Sequence, residues 1–135
     1  MQKTHTFLLF TGDNCGKALE AARLYTSLFK DSEIKDIKYF TPDDPGYKEG
    51  LIKHAMFTLI GQEYLISESP AEHKFSFNPS MSIAVNCESE EEINTVFKKL
   101  SEGGEVMMPL DSYGFSKKFA WVSDKYGVSW QLILF

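Results

Sequence analysis

Three apolar stretches of the chain each carry polar side chains on one face of an alternating pattern, and these are the first sign of chemistry. From Val128 to Phe135, an extended backbone puts Ser129, Gln131 and Ile133 on one side and Val128, Trp130, Leu132 and Leu134 on the other. From Met81 to Cys87 the split is Ser82, Ala84 and Asn86 against Ile83, Val85 and Cys87. Near the N-terminus it is His5, Phe7 and Leu9 against Leu8 and Phe10. Small, polar and occasional aromatic groups on one face suit non-covalent recognition of a small, partly aromatic or amphipathic molecule. The same Ser82, Asn86 and Gln131 could equally be hydrogen-bonded inside a packed sheet interface. Covalent chemistry has less to work with. No GxSxG nucleophile turn is present, and neither Cys15 nor Cys87 has a His beside it in sequence. His54 and His73 lie near loop or strand ends, without partners at ligand spacing, and read as surface residues. Gly12-Asp13-Asn14-Cys15-Gly16 is the nearest approach to a Gly-rich cradle for a methyl donor, and no acidic ribose ligand follows at the expected distance.

Those residues need strands to carry them and helices to cover the strands. Thr4 to Thr11 reads as a first strand, ending at the turn cluster Gly12-Asp13-Asn14. From Cys15 to Lys30, Ala18, Leu19, Ala22, Tyr25, Leu28 and Phe29 recur at three- and four-residue steps, the signature of one helix face. Ile34 to Phe40 predicts a strand. It is followed by a loop in which Pro42, Pro45 and Gly46 forbid regular structure. Leu51 to Ile60 and Glu63 to Glu68 predict a hairpin turning at Gly61-Gln62. After a connector from Ser69 to Pro79 the order repeats. Met81 to Cys87 is a strand, and Ser89 and Glu92 stand at capping-box spacing. Ile93, Val96, Phe97 and Leu100 form a helix stripe that stops at Gly103-Gly104. Three further strands fall at Glu105 to Leu110, Ser116 to Ser123 and Val128 to Phe135, the last two joined through Asp124-Lys125-Tyr126-Gly127.

Both halves thus read strand, helix, strand, strand, strand, and a slide of 72 positions lays Ala21 on Ile93, Leu24 on Val96, Tyr25 on Phe97 and Leu28 on Leu100. The pattern fits an α+β chain of two βαβββ modules, about 1–70 and 80–135, within a single domain of 1–135. It also fits an undivided α+β sandwich. In the duplicated reading, curved mixed sheets enclose a cavity and the helices lie outside.

Composition narrows the partners. Fourteen Lys and Arg against nineteen Asp and Glu leave a net charge of -5 on 135 residues, with no basic cluster to hold a phosphate backbone, so nucleic acid is not an expected partner. No apolar run reaches the roughly 18 to 20 residues needed to cross a bilayer, and the start of the chain lacks the apolar region of a signal peptide. The expectation is a cytoplasmic protein without a membrane partner. Two cysteines without a CxxC partner suggest neither a disulfide framework nor a structural zinc site.

The residues also match a known pattern. The segments FLLFTGDNCGKALEAARLYTSLF, MFTLIGQEY, SMSIAV, LSEGG and FAWVSDKYGVSWQL resemble the vicinal oxygen chelate superfamily of glyoxalase I, bleomycin-resistance proteins and extradiol dioxygenases. They look most like its PhnB-like branch, often labelled 3-demethylubiquinone-9 3-methyltransferase. The resemblance implies the two-module glyoxalase-like fold and a homodimer. It also implies a divalent metal held by residues from the first and last strand of each module. By matching motifs, the first position falls on His5, the third on Ser82 and the fourth on Gln131, while the second lies near Ser67 or Glu68. A set of His, Glu, Ser and Gln is a poor cage for a divalent ion. The function implied is therefore small-molecule binding in a concave cavity without a catalytic metal, with His5, Phe7, Ser82, Asn86, Ser129 and Gln131 as ligand contacts. The alternative is a metal-dependent lyase or dioxygenase using His5, Glu68 and Gln131 as ligands or, for Glu68, as the catalytic base. Glu68 could equally be a solvated carboxylate at a strand end. Trp121 and Trp130 read as core residues, Asp124 and Gly127 as hairpin-formers. Phe75 and Phe77 could share one side of the connector, over the cavity mouth or against a partner subunit.

Overall fold

Alternating and periodic segments become strands and helices in a computed structural model that describes residues 1–135. The order is β1 (Thr6–Phe10), α1 (Ala18–Leu28), β2 (Ile34–Tyr39), β3 (Ile52–Leu59), β4 (Gln62–Glu68), β5 (Ser82–Asn86), α2 (Glu90–Ser101), β6 (Glu105–Asp111), β7 (Lys118–Ser123) and β8 (Ser129–Leu134). The chain divides into two units, Met1–Ser76 and Phe77–Phe135. Each holds one helix and one four-stranded mixed sheet, ordered β1-β4-β3-β2 in the first and β5-β8-β7-β6 in the second. In each, the first strand runs parallel to the last, and the other neighbours are antiparallel. Each unit is therefore a βαβββ module, and neither sheet is closed on itself. No helix is long and apolar enough to cross a membrane.

One face of each sheet is buried under its helix. In the first module Ala18, Ala21, Ala22 and Tyr25 of α1 are buried together with Leu8, Phe10, Phe57, Tyr64 and Ile66 of the strands. Tyr25 tilts against Phe57 at 5.9 Å, and Phe57 stacks on Tyr64 at 5.0 Å. In the second module Ile93, Val96 and Leu100 are buried with Val85, Ala120, Val122, Trp130 and Leu132. Each large apolar side chain so buried contributes about 1.5–3 kcal/mol. Burial also sets the repeat: Ala18, Ala21, Ala22 and Tyr25 correspond to Ile93, Val96, Phe97 and Leu100, a displacement of 75 rather than 72. The slide on sequence alone was off by close to one helical turn, because stripes three residues apart on a helix share a face.

Local chemistry explains the remaining differences. The first helix starts at Ala18, not Cys15, because Gly12–Asn14 form a single 3-10 turn and Gly16 takes φ +97°, a left-handed conformation that interrupts any helix. The first hairpin turns at Ile60-Gly61, both at positive φ (51° and 79°), as a two-residue primed turn requires. β-Branched Ile60 resists that conformation. It is held there by N–H bonds from Ile60 to the Ser32 hydroxyl and from Gly61 to the Asp31 carbonyl. At α2, the Ser89 hydroxyl accepts from Glu92 N–H at 3.0 Å, as the capping spacing predicts, while the Glu92 carboxylate reaches one residue further back, to Glu88 N–H at 2.7 Å. Pro109 sits inside β6, which tolerates a missing donor because it is an edge strand with irregular register on either side of Met108.

Candidate functional site

Paired residues on neighbouring strands point to the same face, so the registers define what the uncovered side of each sheet presents. In the second module three rows cross it. Ser82, Ser129 and Ser123 form the first, Ala84, Gln131, Trp121 and Met108 the second, and Asn86, Ile133, Phe119 and Asp111 the third. Two hydroxyls of the first row are already engaged. Trp121 Nε1 donates to Ser129 Oγ at 2.9 Å, and Ser129 and Ser82 share a hydroxyl bond at 2.6 Å. The third row is partly roofed by the β6–β7 loop. There Phe115 meets Phe119 edge-on at 5.0 Å and Tyr113 does so at 5.9 Å, with Tyr113 held by its hydroxyl donating to the Pro109 carbonyl at 2.6 Å.

Gln131 lies between these rows. It is half-buried, and its carboxamide has no hydrogen-bond partner within the protein. The indole of Trp121 stands on one side of it and the single methyl of Ala84 on the other, which leaves room next to a group able both to donate and to accept. Asn86 presents a second, exposed carboxamide in the adjoining row. Four of the expected contacts, Ser82, Asn86, Ser129 and Gln131, thus share one face. Gln131 and Asn86 are open to a ligand, while Ser82 and Ser129 are engaged with each other.

The corresponding face of the first module carries Phe7 and Leu9 from β1, Glu63, Leu65 and Ser67 from β4, and Met56 and Thr58 from β3. Phe7 is 53% exposed. His5 Nε2 lies 3.0 Å from Glu63 Oε1, and Lys3 and Lys35 reach the same carboxylate at 3.2 Å and 3.6 Å. The bond from His5, then that from Lys3, holds the Glu63 carboxyl below its ordinary range. Ser67 faces the same side and donates to the Lys53 carbonyl at 2.7 Å.

Glu68 falls on the opposite, helix-covered face and is only 3% exposed. Its Oε2 accepts from Ala18 N–H at 3.0 Å and its Oε1 from Ile52 N–H at 2.8 Å. It therefore caps α1 and ties the start of β3 to the end of β4, rather than standing ready as a base on the open face. Asp124 does comparable work in the second module. Its Oδ1 accepts from Tyr126 and Val128 N–H at 2.9 Å and 3.1 Å, and its Oδ2 from Trp130 Nε1 at 2.9 Å. The two tryptophans divide accordingly: Trp130 is a fully buried core residue, whereas Trp121 belongs to the open face. Phe75 and Phe77 also separate, Phe75 packing on His73 at 4.8 Å and Phe77 lying beside Gly127.

Matching the modules by register assigns a residue to each metal position that the resemblance implies. The facing pair His5 and Glu63 corresponds to Ser82 and Ser129, and the next pair, Phe7 and Leu65, corresponds to Ala84 and Gln131. The counterpart of Gln131 is thus Leu65, not Ser67 or Glu68. The four positions then hold an imidazole, an alkyl group, a hydroxyl and an amide. One strong ligand among four does not fit a divalent ion, and no group of three or more His, Cys, Asp or Glu side chains is placed to hold one.

Sequence reasoning missed Glu63, Trp121, Phe119, Tyr113 and Phe115. The strand parity of Glu63, Leu65 and Ser67 carried a signal for the first. Counting back from the Asp124–Gly127 turn would have set Trp121 opposite Gln131.

Known proteins share this fold. The profile of the family described as 3-demethylubiquinone-9 3-methyltransferase matches residues 2–133. The solved PhnB protein from Bacillus cereus is 55% identical, with 99% of this chain and 100% of that one covered and a TM-score of 0.90. The fold recurs in the fosfomycin resistance protein FosX from Listeria monocytogenes (14% identity, 100% and 93% covered, TM-score 0.64). It recurs again in a glyoxylase/bleomycin resistance protein/dioxygenase domain from Frankia (14% identity, 99% and 92% covered, TM-score 0.63). No curated protein matches the chain. With the match over nearly its whole length, the chain belongs to the 3-demethylubiquinone-9 3-methyltransferase, or PhnB-like, family.

Proposed function

We propose that this chain binds a small amphipathic molecule on the open face of its second module and needs no catalytic metal to do so. The observation that carries the reading is Gln131, an unpartnered carboxamide in one row with the indole of Trp121 and the small Ala84. Such a row takes a flat or aromatic body against the indole while the amide fixes a carbonyl or hydroxyl. The resistance proteins among the structural relatives are named for fosfomycin and bleomycin, which supports a binding role for the fold. Methyl transfer gains no support: the N-terminus of α1, where the carboxylate of a methyl donor could sit, is already capped by Glu68. The metal-dependent lyase or dioxygenase reading would need donors that Leu65 and Ser82 do not supply. A homodimer is part of the same proposal, with exposed Phe7 as a residue that a second copy would cover.

The test is a titration of tryptophan emission with bleomycin, fosfomycin and a panel of hydroxylated aromatic acids, in buffer containing chelator. Trp121 should report any ligand that settles beside Gln131. We expect saturable binding that survives chelation, weakened about tenfold in Gln131→Ala, equivalent to about 1.4 kcal/mol for one lost hydrogen bond. The unfolding midpoint should stay unchanged. Binding that appears only on addition of Mn²⁺, or that ignores Gln131→Ala, would overturn the reading.

A further inference from the structure

A second chemical site lies in the first module, away from the open face. A hollow of about 330 Å³ is formed where the loops after β1, before β3 and after β4 converge, and Gly12, Cys15, Lys48, Ser69, Glu72 and His73 contribute to its wall. Ser69 Oγ lies 2.7 Å from His73 Nε2. That separation is within the range over which an imidazole can take a proton from a hydroxyl nucleophile. Both residues are half-buried, and the segment bearing them is pinned at both ends. Ser69 N–H donates to the Phe10 carbonyl at 3.1 Å, Thr11 Oγ1 donates to the Phe75 carbonyl at 3.1 Å, and the Phe75 ring packs against the imidazole. The pair is thus held in place by the end of β1 and does not depend on a ligand to bring it together. Two neighbours complete the setting. Lys48 is among the residues that line the hollow and brings a positive charge to its wall. Burial and the neighbouring Glu68 push the Cys15 thiol up, which makes it a slower competing nucleophile.

We propose that Ser69 and His73 are a nucleophile and base for transfer of small acyl groups from esters. Ser69 Oγ bonds to the ester carbonyl carbon while His73 Nε2 takes the hydroxyl proton. The bond to the leaving oxygen breaks, and that oxygen departs with the proton from His73. Water then attacks the acyl-Ser69 ester, giving up a proton to the same imidazole. The acyl–Oγ bond breaks, a carboxylic acid leaves and the hydroxyl is restored. The hollow sets the size limit, admitting an acetyl or small aryl ester rather than a long chain.

The experiment is hydrolysis of 4-nitrophenyl acetate by the full chain, compared with Ser69→Ala, His73→Gln and Cys15→Ser, with circular dichroism confirming that each is folded. Trapped protein is digested and examined by mass spectrometry to locate the acetyl group. We expect at least a tenfold loss of rate in Ser69→Ala and in His73→Gln, and acetyl on the peptide bearing Ser69 in wild type and in Cys15→Ser alike. A rate unchanged by Ser69→Ala, or acetyl found on Cys15 or on lysines alone, would overturn the assignment. Labelling by a fluorophosphonate is the second measurement: it should occur at Ser69 and be lost in His73→Gln, and its absence from Ser69 would equally overturn the proposal.

Discussion

In Glu68→Ala, the N–H groups of Ala18 and Ile52 lose their acceptor together, inside a part of the molecule where the replaced side chain was 3% exposed. A hydrogen bond to a charged group contributes about 1.5–3 kcal/mol, so the loss of two costs about 3–5 kcal/mol once the smaller side chain is allowed for. For a chain of 135 residues that lowers the thermal midpoint by roughly 10–20 °C. Glu68→Gln separates charge from shape. One amide oxygen can still serve one N–H, but the NH₂ group faces the other donor, and a cost of about 2 kcal/mol follows. Thermal and denaturant unfolding followed by circular dichroism measure both variants. A carboxylate acting as a base on a ligand would show the opposite pattern, with stability intact and chemistry lost. A Glu68→Ala variant within about 1 kcal/mol of wild type would refute the clamp.

Because the folded-state carboxyl of Glu63 is held below its ordinary value of 4.5, its contribution is present above that value and is lost as the pH falls through the lowered one. Wild type should therefore lose stability in acid more steeply than Glu63→Gln, the two curves converging at low pH. Parallel curves in acid unfolding would sink the argument. Burial, then the charge of Glu92, pushes the Cys87 thiol up to about 12, and Cys87 is a buried core residue. Iodoacetamide should label half-buried Cys15 first and reach Cys87 only on unfolding, as read by mass spectrometry of the native protein. Equal labelling of both would contradict the burial argument.

Much of this was legible in the chain because parity and periodicity are local. Alternation alone placed Ser129 and Gln131 on one face and Trp130 on the other, and His5 and Phe7 opposite Leu8 and Phe10. The two helix stripes were found too, although one turn of ambiguity remained until burial fixed Ala18 against Ile93. What stayed hidden depends on contacts between distant residues. A Glu at a strand end looks the same whether it is solvated or receives N–H groups from residues 18 and 52. Leu65 could be recognised as the partner of Gln131 only once the parallel register was known. Ser69 and His73 meet across an irregular loop, where no period announces a contact.

Recognition without a metal is tested by the metal content of protein purified without chelator, followed by titration calorimetry with Mn²⁺, Fe²⁺, Ni²⁺ and Zn²⁺. With His5 on Glu63 and with Leu65, Ser82 and Gln131 at the other positions, the prediction is no stoichiometric metal and no saturable heat. Stoichiometric metal that is lost in His5→Ala would contradict it.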